Sequence, residues 1–127
     1  MSRTPLPAFA ALAVAIAILA VAPARAADAG DAANGEKQFK SRCVACHAMD
    51  KNKTGPQLAG VSGRKAGGVT EFKYSPALAA SGIVWDDEKL DAWLAAPQKM
   101  VPGAKMVIAV PDAKTRADII AYLKTQK

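Results

Sequence analysis

Residues 50–73 carry Gly55, Pro56, Gly60, Gly63, Gly67 and Gly68. A run so rich in these residues reads as connected turns, not as helix or strand. It constrains the fold more than any other feature. The chain has 127 residues, the length of one domain. A chain this small buries only about 60–65% of its unfolded surface. Irregular segments that long in a compact domain need something to lie against. The sequence is short of core, and a large apolar cofactor would supply the missing part.

The segments around this stretch read as helices. Asp31 can cap a helix that carries Phe39 and ends near Arg42. Pro76–Ala80 fits a short helical turn. Asp86 or Asp87 caps a second clear helix, with Leu90, Trp93 and Leu94 on one face and Pro97 as its stop. Pro102-Gly103 is a turn. Met106–Val110 is an apolar run too short for a helix, ended by Pro111. Asp112 caps the last helix, where Ile119, Ile120, Tyr122 and Leu123 form a stripe. Lys124 and Lys127 complement its C-terminal dipole. No alternating pattern and no repeat is present. The predicted class is all-α, three main helices plus long loops.

Residues 1–26 read as an address rather than as fold. Arg3 opens a basic region, Ala8–Ala22 is apolar, and Ala24-Arg25-Ala26 is a small-x-small cleavage site. The pattern predicts a secretory signal peptide over 1–26, cleaved after Ala26, and a domain over 27–127. The competing reading is a retained anchor, since the uncharged run Thr4–Ala24 could cross a bilayer of about 30 Å. Pro5, Pro7 and Pro23 trim that run and alanine is weakly apolar, so cleavage is favoured. Removal takes two of the 17 cationic side chains, and the rest exceed the 11 carboxylates by a net +4. The 51% of hydrophobic residues excludes a disordered chain. The cations are scattered rather than clustered, so no nucleic-acid partner is expected.

Cys43-Val44-Ala45-Cys46-His47 names the missing cofactor. C-x-x-C-H is the signature of covalent haem attachment. Two thiols can add to the two vinyl groups of one porphyrin edge, and the next residue places an imidazole under the iron. His47 is the single histidine of the chain. A thioredoxin-like reading wants a βαβ pattern, and a structural zinc site wants about four ligands; neither is found. The second axial position needs a soft donor, for which Met49, Met100 and Met106 are candidates. Met49 is too near His47 to reach the opposite face. Met106, after the Pro102-Gly103 turn, is favoured over Met100, with core filling as the plain alternative for any of them.

Several segments together carry a family resemblance. They are Gly35-Glu36-Lys37-Gln38-Phe39, Cys43–His47, Lys53-Thr54-Gly55-Pro56-Gln57-Leu58, Gly63-Arg64-Lys65-Ala66-Gly67, Gly82-Ile83-Val84-Trp85, Val101-Pro102-Gly103-Ala104-Lys105-Met106 and Ile120-Ala121-Tyr122-Leu123-Lys124. The sequence resembles the class I cytochromes c, of the mitochondrial-like bacterial type, from Gly35 to Lys127. The resemblance implies the small cytochrome c fold wrapped around one haem c, bound through Cys43 and Cys46. It implies Met106 as sixth ligand opposite His47. Pro56 would accept the imidazole proton through its carbonyl, and Arg64, Tyr74 and Trp85 would hold the propionates, with Ser75 adding a hydroxyl. Gly35 and Phe39 match the place where the first helix crosses the last, opposite Ile119 and Tyr122. The chain departs from the mitochondrial pattern at three positions. Trp93 stands for a Tyr beside the methionine sulfur, Leu78 for an Asn, and Ala104 for a Thr.

His/Met ligation raises the potential and leaves no open position, which suits electron transfer and not catalysis; no enzyme activity is expected. The resemblance implies a periplasmic carrier, monomeric, between a quinol-oxidising cytochrome bc-type complex or a dehydrogenase and a terminal oxidase, with a photosynthetic reaction centre as another acceptor. Lys37, Arg42, Lys53, Lys99 and Lys105 match positions around the exposed haem edge and would steer it to acidic partners. An open-site sensor or peroxidase-like enzyme, a membrane-tethered redox subunit and a dithiol oxidoreductase are the rival readings.

Overall fold

The computed structural model describes Met1, Thr4, Pro5 and residues 29–127. The signal-peptide reading of 1–26 falls almost wholly outside the described residues. The chain forms α1 (Ala32–Arg42), α2 (Pro76–Ala79), α3 (Asp87–Ala95), α4 (Pro97–Met100) and α5 (Ala113–Thr125). Among the described residues, β-pairing is limited to one antiparallel bridge between Lys65 and Val84.

The helices start where short polar side chains can occupy their free N–H groups. Asp31 accepts from Ala33 N at 2.9 Å and from Asn34 N at 3.1 Å. Asp112 accepts from Thr115 N at 2.7 Å. Of the two candidates for α3, Asp86 is the cap, accepting from Lys89 N at 2.7 Å. Asp87 instead reaches α5, where it pairs with Lys124 at 2.7 Å. Pro97 does more than stop α3: it opens α4, where its missing N–H would have been unpaired anyway.

The core gathers on one side of the loops. α1 crosses α5 at Gly35, where a Cβ would collide with the Asp118 carbonyl and come within 2.9 Å of Tyr122 Cβ. One turn on, the Phe39 and Tyr122 rings lie 5.5 Å apart. Phe39, Leu90, Trp93, Leu94, Ile119, Ile120 and Leu123 are buried together. Arg116 fastens the start of α5, donating to Asp91 at 2.7 Å and to the carbonyls of Val110 and Pro111 at 3.0 and 2.8 Å. Between α1 and α2 the chain runs through turns, with Gly60, Gly63 and Gly67 at φ of 72°, 85° and 77°, a region open mainly to glycine.

Candidate haem site

The end of α1 delivers the first thiol. Cys43 is the C-cap of α1, its N–H bonded to Phe39 O. The following turn, with Cys46 N and His47 N bonded to Cys43 O at 3.1 and 2.9 Å, folds the motif back on itself. Cys43, Cys46 and His47 thereby share one cavity of about 360 Å³. Its volume is in the range of cofactor sites. Pro56, Arg64, Tyr74, Trp85, Trp93 and Met106, all singled out in the sequence, line the same cavity. Ser75 and Leu78 line it too, so the Asn-to-Leu departure makes its wall more apolar.

His47 is held in one tautomer by its neighbour. Its Nδ1 lies 2.8 Å from the Pro56 carbonyl, which accepts only from a protonated nitrogen and leaves Nε2 with a free lone pair. Burial, the largest cause, and the nearby Lys53 charge lower the imidazole pKa, while the Pro56 bond opposes them; the net shift favours the neutral donor ring. Gly55 is what lets the loop approach: a Cβ there would overlap the His47 ring, lying 2.7 Å from Nδ1.

Of Met49, Met100 and Met106, only Met106 lines the cavity; the other two pack half-buried against the core. Trp93 Nε1 donates to Met106 Sδ at 3.2 Å, so the indole reaches the sulfur from the α3 side. Trp93 and Trp85 meet edge to face at 5.3 Å.

The polar groups of the cavity suit the carboxylates of a porphyrin. Arg64 donates to Ala59 O at 3.1 Å and Gln57 O at 3.0 Å, yet none of the ion pairs among the described residues includes it. Burial lowers its pKa, with Tyr74 acting against it, and a carboxylate beside it would offset that cost. The Tyr74 oxygen accepts from Val69 N at 3.1 Å, leaving its O–H to donate. Ser75 is buried, its Oγ accepting from Leu78 N at 3.2 Å. The residues therefore fit haem: apolar walls, a neutral imidazole, two adjacent thiols and a cation awaiting a carboxylate. The Cys43 thiol speaks against a dithiol oxidoreductase. Burial pushes its pKa up to about 11, whereas redox-active thiols are held low.

The sequence reading overlooked Phe72, which meets Tyr74 at 4.9 Å and lines the cavity. Val107, Ile108 and Val110, from the apolar run that Met106 opens, line it as well. The sequence reading also overlooked Asp118, visible only as an acidic residue beside the apolar stripe four positions after Lys114.

The comparisons agree with this geometry. The cytochrome c family model matches residues 32–127. A cytochrome c of Euglena viridis is 50% identical over 101 residues, covering 77% of this chain and 99% of that protein. A cytochrome c-type protein, cyt cy, of Rhodobacter capsulatus is 47% identical over 98 residues, 76% of this chain and 49% of that one. The solved structure of cytochrome cH from Methylobacterium extorquens superposes with a TM-score of 0.73 at 54% identity, covering 76% of this chain and 100% of that chain. A cavity fitted to haem behind Cys43, Cys46 and His47, in a chain matched along the whole of its described helical body, has one reading: the chain belongs to the cytochrome c family, electron carriers whose haem c is attached here through Cys43 and Cys46.

Proposed function

We propose that this protein is a periplasmic one-electron shuttle whose iron is held between His47 and Met106. One observation carries the ligand assignment: Met106 alone of the three candidate methionines faces the cavity, with its sulfur tied to Trp93 at 3.2 Å. The haem supplies one reversible electron. The chain's own part is to orient His47 through Pro56, to hold the propionates with Arg64, Tyr74 and Trp85, and to exclude water with Phe39, Leu90, Leu94 and Ile119. Two protein ligands leave no position for oxygen or peroxide, so the protein carries electrons and does not catalyse.

The leader pattern supports export, with cleavage after Ala26 and a soluble monomer of residues 27–127. Among the described residues no helix is long and apolar enough to cross a membrane. Lys37, Arg42, Lys53, Lys99 and Lys105 are exposed, and Arg42 and Lys105 lie at the cavity. Val107 and Ile108 also border it, 74% and 52% exposed. An apolar spot rimmed by cations suits brief, salt-sensitive encounters with acidic redox partners: a cytochrome bc-type complex or dehydrogenase as donor, a terminal oxidase or reaction centre as acceptor.

The test is the visible spectrum of the dithionite-reduced protein before and after carbon monoxide. An unchanged six-coordinate spectrum is expected. A rapid carbonyl spectrum would overturn the closed-site reading in favour of gas sensing or peroxide chemistry. The mass of the purified protein checks the leader.

A further inference from the structure

The segment Val101–Val110, which carries Met106, has neither helix nor strand. Ala104 N bonds to Val101 O at 3.0 Å and Val110 N to Leu94 O at 2.7 Å. Between them, among the described residues, no backbone amide from Lys105 to Ala109 has a backbone acceptor. Side chains fix this strap instead. Trp93 holds the Met106 sulfur, and Lys105 Nζ donates to Lys73 O at 3.0 Å. The third tie comes from α4. Gln98 Nε2 donates to Ala104 O and, at 3.0 Å, to Met106 O. A primary amide nitrogen has two hydrogens; here both are used, on the carbonyls either side of Lys105.

We propose that Gln98 is a positioning residue that clamps the strap, setting how often Met106 leaves the haem face. The inference rests on Met106 being the axial ligand. Backbone without ladder partners opens locally at small cost, so each tie counts. Ala104 is buried, and its carbonyl, once released by Gln98, is poorly placed to find water. Gln98 itself is exposed, so replacing it leaves no hole in the core.

The acceptors are carbonyls, and so only a donor serves. Gln98→Glu keeps the shape but offers acceptors alone when ionised, and Gln98→Ala removes the group. The measurement is the rate at which imidazole binds the ferric holoprotein at neutral pH, by stopped-flow absorbance. Loss of two ordinary hydrogen bonds should speed binding about tenfold in both variants. Wild-type rates in both, or a fast Gln98→Ala with a wild-type Gln98→Glu, would overturn the clamp, the latter result meaning that bulk and not donation matters. Met106→Ala, measured alongside, separates the two claims. If imidazole binds that variant no faster than wild type, the ligand assignment fails, whatever Gln98 does.

Discussion

Three donors converge on the Asp118 carboxylate, where α5 crosses α1. Asp31 N approaches to 2.8 Å, Asn34 Nδ2 to 2.6 Å, and Lys114 Nζ completes the set. The side chain is covered by these neighbours, with 1% of its surface exposed. Lys114, Asn34 and Asp31 N, in that order, hold its pKa down to about 2, below the ordinary 3.8. Asp118→Ala strands the Asp31 N–H and the Asn34 amide at a partly buried junction. Each unpaired donor costs about 1–1.5 kcal/mol there, and the 66% exposed Lys114 rehydrates freely. The expected loss is about 2–3 kcal/mol, or roughly 10–20 °C in melting temperature for a domain of this size. The pH dependence has a definite sign. A carboxylate with a lower pKa when folded stabilises above its unfolded pKa of 3.8, and that contribution fades as pH falls towards 2. The gap between wild type and variant should therefore be full near neutral pH and shrink in acid. Thermal unfolding of the holoprotein, followed by circular dichroism at both pH values, reads it. A gap below about 0.5 kcal/mol near neutral pH, or one that does not narrow in acid, would refute the latch.

Other predictions follow from single contacts. Gly35→Ala inserts a methyl against the Asp118 carbonyl and Tyr122 Cβ, and should cost about 1–3 kcal/mol in denaturant unfolding. Trp93→Phe removes the N–H on Met106 Sδ; a more electron-rich sulfur favours ferric iron, so voltammetry should show a potential lower by up to about 40 mV. Arg64→Gln removes a cation that no carboxylate among the described residues pairs with, and without it a buried propionate should stay protonated to higher pH, visible as a pH dependence of the potential shifted upward.

Much of this was legible because spacing and caps are local. Asp31, Asp86 and Asp112 mark three helix starts, and the C-x-x-C-H run brings thiols and imidazole together within one turn. Of the cavity-lining residues, Trp93 showed in the helix spacing of Leu90, Trp93 and Leu94, whereas Arg64, Tyr74 and Trp85 were legible through resemblance alone; no periodicity ties residues so far apart. What escaped was decided in three dimensions. Gln98 and Asp118 are ordinary polar residues until the strap and the α1–α5 crossing bring carbonyls and donors to them. α4 escaped because a proline after a helix reads first as an ending, although its fixed φ serves a new beginning equally well.

The junction of α1 with α5 joins the two ends of the folded body, so everything that lines the haem cavity lies inside one closed ring of chain. A polypeptide is made from its N-terminus, and the ring cannot shut until Ile119–Leu123 have been added. Until then Cys43 and Cys46 belong to an open chain and their thiols are within reach. Once shut, Cys43 is half-buried and its thiol hard to ionise. The thiols are therefore most open to thioether formation before the last helix docks on the first, and that docking hides them.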